Sequence, residues 1–256
     1  MRFKDTVVVV AGGSGGVGSA AARRFAAEGA RVLATYRSRP QAAEQLVRDA
    51  ELLDGEVTVV AADLTDPAGI DRMVTAALDR YGHIDVFVST VGATSAMSAL
   101  LETPPEVIDR TIAVELRSVI DSTIAVLPHL VRAGGGRIIV VGSDSGKVGS
   151  SWEAVSAACR GGVIAFAKSV AREYARAGVL ANVVCPGPID TDLWRRLVER
   201  HDEPSRRAAA GLVRAIPLRR PASAEEVASA VVYLASPEAS FVTGQALSVS
   251  GGLTMQ

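Results

Sequence analysis

Only two cysteines, Cys159 and Cys185, stand in the 256 residues. They cannot make a disulfide framework, so a reducing cytoplasm is the expected compartment and buried structural thiols the expected role. Aromatics are scarce too: five Phe, four Tyr and two Trp leave no base-stacking platform. Charge of one sign is missing. The 27 basic and 28 acidic residues give a net charge of -1, which argues against nucleic acid or a polybasic membrane anchor as partner. No apolar run approaches the ~20 residues of a membrane span, and Met1–Asp5 has no signal-peptide character. The three histidines, His83, His129 and His201, are isolated from any Cys/His/carboxylate cluster, so no metal is expected. What remains is 48% hydrophobic, enough for one well-cored domain over residues 1–256.

Short β-branched runs alternate with helical patterns along the chain. Strands are predicted at Thr6–Ala11, Arg31–Thr35, Val57–Ala61, Val86–Thr90, Arg137–Gly142, Val179–Cys185 and Ala246–Val249. Helices are predicted at Gly16–Glu28, Gln41–Leu53, Pro105–Arg132, Ser151–Ala177 and Ala224–Ala235. The clearest helical stripe is Ile70, Met73, Val74, Ala77, Leu78 and Tyr81, starting after an Asp66 N-cap with Pro67 at N1. The segment Asp190–Pro221 is arginine-rich and irregular, with one helix around Leu193–His201, and reads as a substrate lid. This alternation predicts an α/β fold, a doubly wound parallel sheet of about seven strands with helices on both faces. Ligands in such sheets bind beyond the carboxyl ends of the strands.

The first strand runs into Gly12-Gly13-Ser14-Gly15-Gly16-Val17-Gly18. A glycine-rich turn between an apolar strand and a helix lets bare backbone approach a pyrophosphate at the positive helix end. Its Gly12-x-x-x-Gly16-x-Gly18 spacing resembles the glycine motif of the short-chain dehydrogenase/reductase family. Further segments agree: Asp63-Leu64, Thr90-Val91-Gly92, Asn182 through Thr191, Val242-Thr243-Gly244-Gln245, and Ser250-Gly251-Gly252. The resemblance covers the whole chain and implies a Rossmann-like nicotinamide-dinucleotide domain. By that resemblance the cofactor would be held by Gly12, Ser14, Gly15, Gly16, Val17, Gly18, Tyr36, Arg37, Ser38, Asp63, Leu64, Thr90, Gly92, Arg160, Pro186, Gly187, Ile189 and Thr191. The second strand ends in Thr35-Tyr36-Arg37-Ser38-Arg39, with no carboxylate for ribose hydroxyls. Guanidinium groups suit a 2′-phosphate, so NADP(H) is favoured over NAD(H), the alternative being that Arg37 and Arg39 are merely solvated.

The chemistry positions depart from the family's pattern. Its catalytic serine corresponds to Ser143. Its Tyr-x-x-x-Lys reads here as Ser156-Ala157-Ala158-Cys159-Arg160, and its helical asparagine corresponds to Glu115. No tyrosine lies between Tyr81 and Tyr174, so an alignment slip does not restore one. Tyrosine starts near pKa ~10 and can be drawn toward neutrality, whereas an alkyl hydroxyl is a far weaker acid. The forfeited general acid is worth typically ~10²–10⁴-fold. Arg160 could still hold a ribose but is a poor proton relay. Glu115 and Arg160 either form a direct salt bridge beneath the cofactor, or Glu115 is solvated while Arg160 meets only the ribose. Asp144 and Glu153 read as solvated carboxylates rather than replacement acids, and Trp152 as a pocket wall or lid contact. Without a base histidine nearby, Ser143 and Ser156 are no hydrolase triad.

Three functions stay open from sequence. One is a reductase of a carbonyl, imine or activated alkene, using NADPH without the usual tyrosine. A second is a non-redox isomerase, lyase or cyclase on the same scaffold. The third is a catalytically silent NADP-binding or partner-binding subunit. The expected ligand is a small-molecule substrate. By resemblance, the 105–132 and 151–177 helices would join a homodimer or homotetramer.

Overall fold

The computed structural model describes residues 1–92, 98–192, 194–195 and 203–256, for 203–206 and 208 the backbone alone. Seven strands form one parallel sheet: β1 (Val7–Ala11), β2 (Arg31–Tyr36), β3 (Glu56–Ala61), β4 (Val86–Ser89), β5 (Gly136–Val141), β6 (Val179–Pro186) and β7 (Ala246–Val249). Their spatial order is β3-β2-β1-β4-β5-β6-β7. The winding reverses between β1 and β4, and that switch opens a crevice at the strands' carboxyl ends.

Alternation along β1 explains its apolar run. Val7, Val9 and Ala11 face one core layer and Val8 and Val10 the other, so every position of the strand is buried. The first layer is covered by α3 (Pro67–Tyr81), α5 (Ser118–Arg132) and α7 (Ala154–Tyr174). The second is covered by α1 (Gly16–Ala27), α2 (Pro40–Ala50) and the later helix α9 (Ala224–Ala235). In α3, Asp66 accepts a hydrogen bond from the Ala68 N–H and left-handed Gly82 closes the helix. Five of the six residues in the predicted stripe are buried; Leu78 is half-buried against the same core.

Three expectations change. The helix predicted over Pro105–Arg132 is α4 (Pro105–Ile112) and α5, joined by a π turn at Ala113–Arg117. The extra residue in that turn brings Val114 and Glu115 into the interior while Arg117 stays exposed. A short helix, α6 (Ser145–Val148), precedes α7, which starts at Ala154 rather than Ser151. Finally, 190–221 is not irregular throughout. It contains α8 (Glu203–Ala215), is flanked by a bridge between Ile189 and Ala222, and its Ile216 is buried. Most of the helix expected at Leu193–His201 lies outside the described residues.

Helix α7 and the turn after it are by length and composition apolar enough to cross a membrane. Here Val163, Ile164, Ala167, Val170 and Ala171 of this helix pack into the sheet core.

Candidate active site

The glycine loop is stapled where three strands end. Gly12 N–H donates to Thr35 Oγ1 at 3.0 Å, tying the loop to β2. Thr90 Oγ1 donates to the Ala11 carbonyl at 2.8 Å, tying it to β4. A side chain on Gly18 would place its Cβ 2.4 Å from the Gly12 carbonyl, so the loop closes on α1 only with glycine there. The α1 N-terminus carries no side-chain cap, leaving its first-turn N–H groups for an outside acceptor. Thr191 reaches this loop from beyond β6: a Cβ on Gly16 would meet its methyl at 2.8 Å.

At the end of β2, Tyr36 is half-buried and Arg37 and Ser38 are exposed beside Arg39. Arg39 leans over the glycine loop near Gly15, with Nη1 3.9 Å from Asp192 Oδ2. Asp63 follows β3, next to buried Leu64. Burial pushes the Asp63 carboxyl up, but hydrogen bonds from Thr65 N–H and Oγ1 outweigh it. With Arg37 and Arg110 helping, they hold it below the usual carboxylate range.

The chemistry end is one connected network. Glu115 is only 1% exposed, and its Oε2 lies 3.0 Å from Arg160 Nε. The same oxygen accepts from Ser156 Oγ at 2.6 Å. Arg160 Nη1 donates to the Val141 carbonyl at 3.0 Å, linking α7 to the end of β5. The direct Glu115–Arg160 pair is therefore present, and Glu115 is not solvated. Gly92 lies against the guanidinium: a Cβ there would fall 1.8 Å from Nη2. Ser143, two residues past β5, accepts from Ser145 N–H at 3.2 Å and Ser145 Oγ at 2.9 Å. Both Ser143 and Ser156 are half-buried, so ligands can reach them.

The loop after β6 completes the rim. Asp144 N–H donates to the Pro186 carbonyl at 3.0 Å, Gly187 packs on Ser250, and Ile189 bridges to Ala222. The structure thus gathers the loops after β1, β4, β5 and β6 at one carboxyl edge.

Sequence reading missed the burial of Asp144 and the backbone seat of Arg160. Asp144 is 4% exposed with neither carboxylate oxygen hydrogen-bonded, the reverse of a solvated loop acid. Glu153 is half-buried just before α7, and Trp152 is 57% exposed in a left-handed conformation. The Val141 carbonyl and the Gly92 face hold Arg160, and backbone contacts of that kind leave no residue-type signal. Burial raises the Cys159 thiol and pushes Cys185 up to about 11, so neither is a reactive thiolate. Among the described residues, no group of three or more His, Cys, Asp or Glu could hold a metal ion.

A family model described as enoyl-(acyl carrier protein) reductase matches residues 11–254. The 3-oxoacyl-(acyl-carrier-protein) reductase of Escherichia coli (strain K12) is 36% identical over 255 residues, covering 100% of both chains. The chain belongs to the short-chain dehydrogenase/reductase family. Within this family, the 2,3-dihydroxy-2,3-dihydro-p-cumate dehydrogenase of Pseudomonas putida is also 36% identical, over 100% of this chain and 96% of its own. Levodione reductase superposes with a TM-score of 0.91 at 30% identity, covering 98% of each chain. As a short-chain dehydrogenase/reductase, the chain carries its crevice where the sheet's winding reverses.

Proposed function

We propose that the protein is an NADP(H)-dependent carbonyl reductase of this family, working without the usual tyrosine acid, in the cytoplasm. The observation that carries this reading is the stapled glycine loop at the same carboxyl edge as the Ser156–Glu115–Arg160 network, with Ser143 two residues past the Val141 carbonyl that anchors Arg160. The residues fit a dinucleotide: the uncapped α1 terminus and the close Gly16–Thr191 approach make a backbone cradle. Ser14, Gly15 and Val17 would flank the pyrophosphate. Asp63 and Leu64 would meet the adenine. Arg37, with Tyr36 and Ser38, would take the 2′-phosphate. Thr90, Gly92, Pro186, Gly187, Ile189 and Thr191 would border the nicotinamide half. When bound, NADPH supplies hydride to an electrophilic carbon.

The protein's own groups handle the oxygen. Ser143 has accepted two hydrogen bonds from Ser145 and keeps its own hydrogen to give to a substrate oxygen. Arg160, fixed by Glu115 and the Val141 carbonyl, has N–H groups left over for the nicotinamide ribose. Ser156, the outer end of the Glu115 network, stands where the family places its tyrosine and would exchange the proton. Segment 190–221 would serve as the substrate lid over a single domain of residues 1–256. Exposed Ile112, Ile124 and Val131 on α4 and α5 would pair copies into a homodimer or homotetramer, with α7 in the same interface.

Single-turnover loss of NADPH absorbance across a panel of ketones, imines and enones tests this reading. Turnover with a ketone is expected. NADPH binding with no turnover on any member would leave the non-redox or silent alternatives standing.

A further inference from the structure

At the amino ends of β1, β4 and β5, the end of the sheet away from the crevice, lies a cavity of about 480 Å³. That volume falls within the range of about 300–1,000 Å³ typical of small-ligand sites. Most of the charged groups around it have partners. Arg2 donates to Glu28 at 2.6 Å, and Arg31 donates to the bordering Asp5 at 3.3 Å. Asp85 accepts from the Val7 N–H at 2.8 Å and lies 3.1 Å from His83 Nε2. His83 also meets the Tyr81 carbonyl through Nδ1, so both its nitrogens are engaged. Two lining cations remain, Lys4 and Arg137, and neither has a carboxylate partner among the described residues.

A guanidinium drawn out of water normally meets an anion. Arg137, the second residue of β5 and the neighbour of Val86 on β4, is half-buried without one. Its Nε is sealed from solvent and has no acceptor, and Nη1 donates only to the adjacent Gly136 carbonyl at 3.4 Å. Burial pulls the guanidinium below its ordinary value, and no carboxylate opposes that pull. The end of α9 borders the cavity through Ala235 and Pro237, yet none of its carbonyls accepts from Arg137. The remaining Nη hydrogens are therefore left for a ligand. Gly134 on the cavity wall leaves open space, with no atom within 4 Å of where its side chain would start. We infer that Arg137 and Lys4 form an anion site for a phosphoryl group, free or as the monoester of a small molecule. The guanidinium fork takes two oxygens and the ammonium adds a second point charge, which matches a group carrying close to two negative charges. The site lies at the opposite end of the strands from the glycine loop, so it is separate from the dinucleotide cradle.

The test titrates the full chain with inorganic phosphate and with phenyl phosphate, reading Tm against sodium chloride at equal ionic strength. General salting-out by phosphate acts on every variant alike, so the natural chain is compared with Lys4→Gln and Arg137→Gln. Apparent phosphate affinity is expected to fall about fivefold in Lys4→Gln and about tenfold or more in Arg137→Gln. Lys4 is exposed, so its variant decides the matter if Arg137→Gln does not fold. Crystals soaked in selenate locate the anion: anomalous density beside Arg137 is expected in the natural chain and is lost in the variants. Tighter binding of phenyl phosphate than of phosphate assigns the rest of the cavity to an organic group, and equal binding assigns the site to the free ion; both agree with the inference. Density at Arg137 without a difference between natural chain and variants in solution means an adventitious ion only and overturns it. Selenate found at the glycine loop but not at Arg137 overturns it as well, as does equal phosphate affinity in the natural chain and Lys4→Gln.

Discussion

A methyl group on Gly92 would sit 1.8 Å from Arg160 Nη2, and the residue's φ of +153° is one that side chains rarely adopt. Gly92→Ala is therefore expected to push the guanidinium off its anchors. NADPH affinity should fall about tenfold or more, with a lower Tm by thermal denaturation. An unchanged affinity would show that Arg160 does not need that seat. In the proposed reading, Ser156→Tyr with Arg160→Lys supplies the phenol and ammonium of the family pattern. NADPH-dependent ketone reduction should appear or rise by about 10²-fold, checked by initial rates; an inert, correctly folded double variant would count against the proposed pocket geometry. The sequence at this scale displayed the residue types but not their partners. Ser143, Ser156, Arg160 and Glu115 could be named from spacing, and the Glu115–Arg160 pair written down as one of two arrangements. That Asp144 is buried without a partner could not be read, because a carboxylate after a strand is usually solvated.

The π turn at Ala113–Arg117 shows why an element can be legible while its geometry is not. Apolar periodicity runs through α4 and α5 alike, and nothing in residue type marks the extra residue that turns Glu115 inward. At the start of α9, a helix predicted over the same Ala224–Ala235, the structure adds a capping box between Ser223 and Glu226 with both arms made. Ser223→Ala should lose about 1 kcal/mol in urea denaturation. Glu226 is held down to about 2, foremost by its Arg220 hydrogen bond and next by the Ser223 N–H. A depressed folded value means its contribution is present above about 4.5 and is lost as pH falls toward about 2. The difference in urea midpoint between the natural chain and Glu226→Gln should therefore shrink between pH 6 and pH 3. Helix α8 was invisible because its arginine-rich composition resembles a loop.

Across the whole molecule, all seven strands stand within two residues of where β-branched runs place them, because a sheet buried on both faces demands continuous apolar segments. In the proposed reading, cofactor choice also belongs to this scale, set by charge at the β2 edge beside the glycine loop. Replacing Arg37 and Arg39 together by alanine should weaken NADPH about tenfold in calorimetry while leaving NADH within about twofold; equal losses for both would assign the arginines a structural role. The most direct measurement of the central claim is a crystal structure of the chain with NADP+. The account predicts dinucleotide across the glycine loop, Arg160 on the nicotinamide ribose, and the Ser143 and Ser156 hydroxyls facing the nicotinamide C4. An empty crevice at saturating NADP+, or a tyrosine ring against that carbon, would contradict it.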